Sequence, residues 1–155
     1  MELSERVRFV QGLPPVADYN DSGPVYSDIV NCRGAAGVTF LLIRGVGTTG
    51  TTALTVEACD DVSPSHTQAI PFRYKQITAA DAEAALAQAT SAGYTTTAGS
   101  NAIDVIEVDP AYLGAYGYGY CRLKCTEVNG AAVLAGILIA IQAGFAGDAK
   151  ASPLT

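Results

Sequence analysis

Histidine is nearly missing from this sequence, and most of the chemistry that histidine carries goes with it. His66 is the only one in 155 residues, which excludes His-rich metal sites and leaves a Ser/His/Asp relay a single possible base. Its neighbours Asp61, Ser63 and Ser65 stand in the same short loop, where a catalytic trio would be poorly preorganised, so a solvated loop histidine is the expected role. Charge is scarce as well. Only 15% of residues are charged, and 9 basic against 15 acidic side chains give a net charge of −6. That balance repels phosphate backbones and anionic lipid headgroups at long range, so neither nucleic acid nor membrane is an expected partner.

The four cysteines, Cys32, Cys59, Cys121 and Cys125, include no CxxC pair and no matched Cys/His spacing, which argues against a zinc site or a thioredoxin-like motif. Met1 to Arg6 has neither the basic start nor the apolar run of a secretory signal, so folding in a cytoplasm is expected, with buried free thiols. Cys121 and Cys125 share a face if their segment is a strand, but lie roughly 13 Å apart, too far to bond. Were one disulfide to form, Cys32–Cys59 or a bridge to Cys121 or Cys125 would be the pairs to consider.

What the chain does have is apolar surface and turns. Hydrophobic residues make up 49%, with 16 Gly and 7 Pro, a composition that offsets chain entropy in one compact domain. Strands are predicted at Arg6–Val10, Val25–Val30, Val38–Ile43, Ala53–Cys59, Ile70–Ile77, Ile103–Val108 and Cys121–Val128, most alternating apolar with polar residues. Ala131 to Gly147 is almost uncharged but falls short of the about 20 apolar residues of a membrane helix. Asn129-Gly130 before it predicts instead a hairpin in which Ala132–Gln142 pairs with Cys121–Val128. That last strand is apolar on both faces, so it is expected to be central or to have its outer face covered by another subunit. Thr78 to Gln88 is the one predicted helix, alanine-rich with Thr78 as cap and Asp81 at the capping-box position.

The expected fold class is therefore all-β, an antiparallel β-sandwich with one short helical insertion. Its expected organisation is an N-terminal strand and irregular arm in 1–24, a β-sandwich in 25–147 and a flexible tail in 148–155. No catalytic, metal or cofactor site is expected. Asp60-Asp61 lacks the spaced oxygens of a calcium loop, the glycines between Gly34 and Gly50 form no phosphate-loop motif, and Glu107 and Asp109 read as solvated charges on one strand face.

One segment concentrates chemical character. If extended, residues 116–124 project Tyr116, Tyr118, Tyr120, Arg122 and Lys124 from one face and Gly117, Gly119, Cys121 and Leu123 from the other. Tyrosine and arginine dominate protein–protein hot spots, and tyrosines also form stacking platforms for sugars. Three roles stay open for this stripe: a packed sheet edge, a partner contact, or a glycan platform.

The order of segments resembles the small jelly-roll-like decoration (cement, head-stabilising) proteins of tailed bacteriophage capsids. The likeness is carried by Gly37–Gly47, by Leu54–Asp61 with its acidic end, by the Tyr/Gly lead-in to Tyr120–Cys125, and by the closing Val133–Gln142 strand. It implies a non-enzymatic virion structural protein, made in the host cytoplasm and located on the capsid surface. The implied partners are the major capsid protein and further copies of the chain, with a trimer favoured and a dimer possible. A phage tail or neck component, or a glycan-binding β-sandwich module, are the alternatives.

Overall fold

The computed structural model of the protein describes residues 2–144; the tail expected at 148–155 lies outside the described residues. Along the chain run α1 (Leu3–Arg6), β1 (Val7–Val16), β2 (Val25–Tyr26), β3 (Val30–Asn31), β4 (Ala35–Arg44), β5 (Thr51–Cys59), β6 (Thr67–Ile70) and β7 (Phe72–Ala79). They are followed by β8 (Ala82–Glu83), β9 (Ala87–Ala89), β10 (Tyr94–Thr95), β11 (Ile103–Val108), α2 (Ala111–Gly114), β12 (Tyr120–Asn129) and β13 (Ala135–Ala143). All the pairings are antiparallel. One sheet has the order β1-β13-β4-β11-β7-β8, with β9 also on β7. The other has β10-β5-β12-β2, with β3 on β12 and β6 on β5. The two layers form the expected β-sandwich, and β1, expected to stand apart in 1–24, is an edge strand of the first sheet.

Period-2 alternation fills the space between the sheets. Val38, Phe40 and Leu42 of β4, Ile106 of β11 and Ile137 and Ile139 of β13 are buried from one side. Leu54 and Val56 of β5 and Cys121, Leu123 and Cys125 of β12 meet them from the other. Such side chains contribute about 1.5–3 kcal/mol each on burial.

Two expectations fail, both because local signals were overruled by sheet pairing. Thr78 to Gln88 is not a helix. β7 runs on through Ala79, turns, and the chain returns along the free edge of β7, pairing Ile77 with Glu83 and then Arg73 with Gln88. A helix of this length is marginal in water whatever its alanine content, whereas the returning chain satisfies the open edge of β7 with backbone hydrogen bonds and a Lys75–Glu83 ion pair. Nor does Asn129-Gly130 close a hairpin. β12 lies between β5 and β2/β3, and β13 between β1 and β4, so residues 130–134 carry the chain from one sheet to the other. The apolar faces of β12 and β13 meet across the interior instead of side by side. β13 is central, as its two apolar faces suggested.

Between β4 and β11 sits a buried ion pair. Arg44 Nε donates to Asp104 Oδ2 at 2.7 Å, with both side chains almost wholly removed from solvent. Gln76 Nε2 (2.6 Å) and the Tyr94 hydroxyl (3.1 Å) donate to Asp104 Oδ1, and Arg44 Nη1 donates to the Thr97 carbonyl (2.7 Å). Tyr94 stacks on Tyr74 with centroids 3.7 Å apart, and burial followed by the Asp104 charge pushes its phenol well above the usual range. Removing one partner leaves an uncompensated charge in the interior, so Arg44→Leu is expected to cost about 3–5 kcal/mol. Urea unfolding followed by circular dichroism measures it; an unchanged midpoint would show that the pair is not stabilising the fold.

Candidate functional site

The predicted tyrosine stripe is broken by one glycine. Gly117 has φ +74°, a left-handed conformation that turns the chain after α2, and extended backbone begins only at Tyr120. Tyr116 is half exposed and its ring lies 6.4 Å from that of Tyr118, which packs in part against the core. Tyr120 is buried, with the Arg33 guanidinium 5.3 Å from its ring centroid. These rings therefore do not present one continuous platform.

Arg122 and Lys124 do share the outer face of the second sheet, and both are engaged within it. Arg122 Nε and Nη2 reach Glu57 Oε2 at 2.9 and 2.8 Å, Lys124 Nζ lies 3.4 Å from Glu57 Oε1, and Arg122 sits 3.9 Å over the Tyr26 ring. Glu57 and Tyr26 were missed in the sequence. Glu57 is the one charged residue of β5, and pairing β5 with β12 sets it opposite Arg122, but that register is not legible from the residues.

The outer face of the first sheet is different. With Val38, Phe40, Leu42 and Arg44 turned inward, Thr39, Leu41 and Ile43 project outward from β4. Register places Leu138 and Val105 on either side of Leu41, and Gly136 and Ile103 on either side of Ile43. Val105 is buried yet lies outside the core cluster, and Ile43 is 46% and Leu134 37% exposed. Ile43, Ile103, Leu134 and Leu138, together with Leu13 and Pro15, line an open, largely apolar groove of about 610 Å³. Further along the same face, two adjoining polar cavities of about 220 and 310 Å³ share Arg73, Glu107 and Asp109, with Thr39 and Gln142 lining one and Gln88 and Tyr112 the other.

His66 stands in a hydrogen-bonded trio with its expected neighbour Ser65, but with Asp60 in place of Asp61. Asp60 Oδ2 accepts from Ser65 Oγ at 2.9 Å and lies 3.2 Å from His66 Nδ1, and Ser65 Oγ is 3.3 Å from the same nitrogen. Serine and carboxylate thus meet one ring nitrogen, whereas a relay needs them on opposite nitrogens. The Asp60 carboxylate also accepts from the His66 backbone N–H at 3.2 Å, so the trio closes the loop between β5 and β6.

No family model and no curated protein matches the chain. Among solved structures it is similar to the SPBc2 prophage-derived protein YomS, at 13% identity and TM-score 0.48 over 86% of this chain and 92% of that one. It is also similar to chitosan-binding module 1 of a chitosanase/glucanase from Paenibacillus sp. IK-5, at 13% identity and TM-score 0.36 over 86% and 92%. A structure of infectious bursal disease virus Gx strain is similar at 13% identity and TM-score 0.27, over 89% of this chain and 42% of that one. The sandwich itself is read from this chain's own strand pairing.

Desolvation raises the Asp60 pKa, but hydrogen bonds from the His66 backbone, the Ser65 hydroxyl and the His66 ring outweigh it and hold the group at about 2, below its ordinary 3.8. A carboxylate depressed in the folded state stabilises above its unfolded pKa and loses that contribution as pH falls through the folded one. Amide exchange in residues 60–66 is therefore expected to accelerate as pH drops from about 4 to about 2 relative to the intrinsic rate, and Asp60→Asn is expected to remove that step. NMR-detected exchange checks it; an identical pH profile in the variant would overturn the assignment.

Proposed function

We propose that this chain is a non-enzymatic structural protein that works by docking the outer face of its first sheet, the one that contains β4, β11 and β13, against other protein surfaces. In the setting implied by its segment order, it decorates the outside of an assembled phage capsid. The observation that carries the docking role is the apolar groove flanked by Ile43, Ile103, Leu134 and Leu138. Aliphatic side chains gathered on one sheet face mark an interaction surface more often than scattered apolar residues do. The capsid setting rests on the sequence resemblance. A docking oligomer would gain occupancy through effective concentration, since equivalent contacts on neighbouring capsid subunits reinforce one another.

A second reading, glycan binding, is favoured by the polar cleft. Arg73, Glu107, Asp109 and Gln88 offer donors and acceptors beside Tyr112, which is 40% exposed, a combination suited to hydroxyls and a sugar face.

Co-sedimentation with undecorated capsids is expected to recover the protein in the pellet, and decorated particles should leak less genome on heating. Ile43→Asp and Leu138→Asp are each expected to lower occupancy about tenfold or more with an unchanged β-sheet spectrum. Light scattering of the wild type should report a dimer or trimer. Absence of capsid binding, together with glycan-array binding lost in Tyr112→Ala, would replace this function with the second one.

A further inference from the structure

The structure assigns a covalent modification site to Cys32 and Cys121: a dithiol that closes to an intramolecular disulfide when the protein meets an oxidising small-molecule disulfide such as oxidised glutathione. The four cysteines are free and buried, but only this pair is in thiol contact, with the two Sγ atoms 3.2 Å apart across a sequence separation of 89 residues.

The backbone explains the approach. β3 pairs with the start of β12 through Val30 with Cys121 and Asn31 with Tyr120, and the Cys32 N–H continues the ladder to the Gly119 carbonyl at 2.9 Å. Cys32 and Cys121 are therefore diagonal neighbours on adjacent strands, and both side chains belong to the core cluster. A bond needs a further approach of about 1.2 Å. Cys32 can supply it, because it lies just beyond the last residue of β3, ahead of the turn at Arg33 and Gly34, where the chain is less constrained than inside a strand. Cys125 lies four residues further along β12 and has no such partner among the described residues. Cys59 Sγ donates to the Glu57 carbonyl at 3.6 Å.

The chemistry balances as thiol–disulfide exchange. One cysteine thiolate attacks a sulfur of the glutathione disulfide, forming a mixed disulfide and releasing one glutathione thiolate. The other cysteine then attacks the protein-bound sulfur of that mixed disulfide, forming the Cys32–Cys121 bond and expelling the second glutathione thiolate. The two cysteine protons end on the two glutathiones. The contact with Cys32, then burial, pushes the Cys121 thiol well above its ordinary range, and both thiols are buried, so exchange starts only when the β3 end opens. A reducing cytoplasm keeps such a pair open, and exposure outside the cell closes it slowly.

The test uses the full chain, incubated with oxidised or with reduced glutathione and then alkylated in denaturant. After oxidation, two of the four thiols should remain alkylatable and peptide mapping should recover Cys32 joined to Cys121. The unfolding midpoint should rise by about 10 °C, since a cross-link closing a loop of this length restricts the unfolded chain. Cys121→Ala should abolish the bridge, and Cys59→Ala and Cys125→Ala should retain it. If Cys121→Ala does not fold, mapping of the wild-type chain decides alone. Four alkylatable thiols after prolonged oxidation, a stable glutathione adduct without closure, or a bridge to Cys59 or Cys125 would each overturn the assignment.

Discussion

A carboxylate fully removed from water is tolerable only where positive charge and hydrogen-bond donors surround it, and Asp104 meets that requirement at one position in the fold. Its donors come from two strands of its own sheet and one of the opposite layer: Arg44 on β4, Gln76 on β7 and Tyr94 on β10. The pairing of β11 with both neighbours is consequently pinned. Slipping β11 by one residue would turn Asp104 to the outside, strand Arg44 in the interior and exchange every side chain between faces. With Asp104 inward, Ile103 and Val105 must face outward beside Ile43 and Leu41. The apolar outer face thus follows from the same constraint that fixes the core.

That face differs in kind from the rest of the surface. On the opposite sheet, Glu57 draws Arg122 and Lys124 together over Tyr26, so its charges are satisfied internally and its aromatic surface is covered by cations. The strand edges are blunted too. β1 carries the exposed Pro14 and Pro15, and β2, β3, β8 and β10 have only two residues each. Proline and short edge strands discourage edge-to-edge pairing. The proposed docking role therefore falls on the face of the first sheet and not on its edges.

Alternation made β4, β5, β11 and the start of β12 legible, because each buries one face and the period of 2 survives in the residues themselves. Legibility ended where partners are distant. The alanines of 78–88 favour a helix in isolation, and only the open edge of β7 makes them strand. Asn129-Gly130 carries a hairpin signal, yet the choice of sheet for β12 and β13 is made by cores on both sides of the turn. The tyrosine stripe required extended backbone at Gly117, whose positive φ leaves no trace in a residue count. Glu57 opposite Arg122 and Cys32 beside Cys121 depend on register between segments tens of residues apart, which no local pattern encodes.

The positions of Glu57 and Cys121 also bear on how the second sheet holds its shape. β2 and β3 are too short to be stable as edge strands by backbone pairing alone, and each is held by a side-chain contact to β12. Tyr26 of β2 lies under Arg122, and Cys32, one residue past β3, lies against Cys121. Ser27 between them accepts from the Leu123 N–H at 2.9 Å through its hydroxyl, and its own N–H donates to the Leu123 carbonyl at 2.9 Å. Three neighbouring residues of β12 therefore fix an edge that would otherwise fray. The proposed Cys32–Cys121 bond would add a covalent tie to an edge otherwise held by these few side-chain contacts.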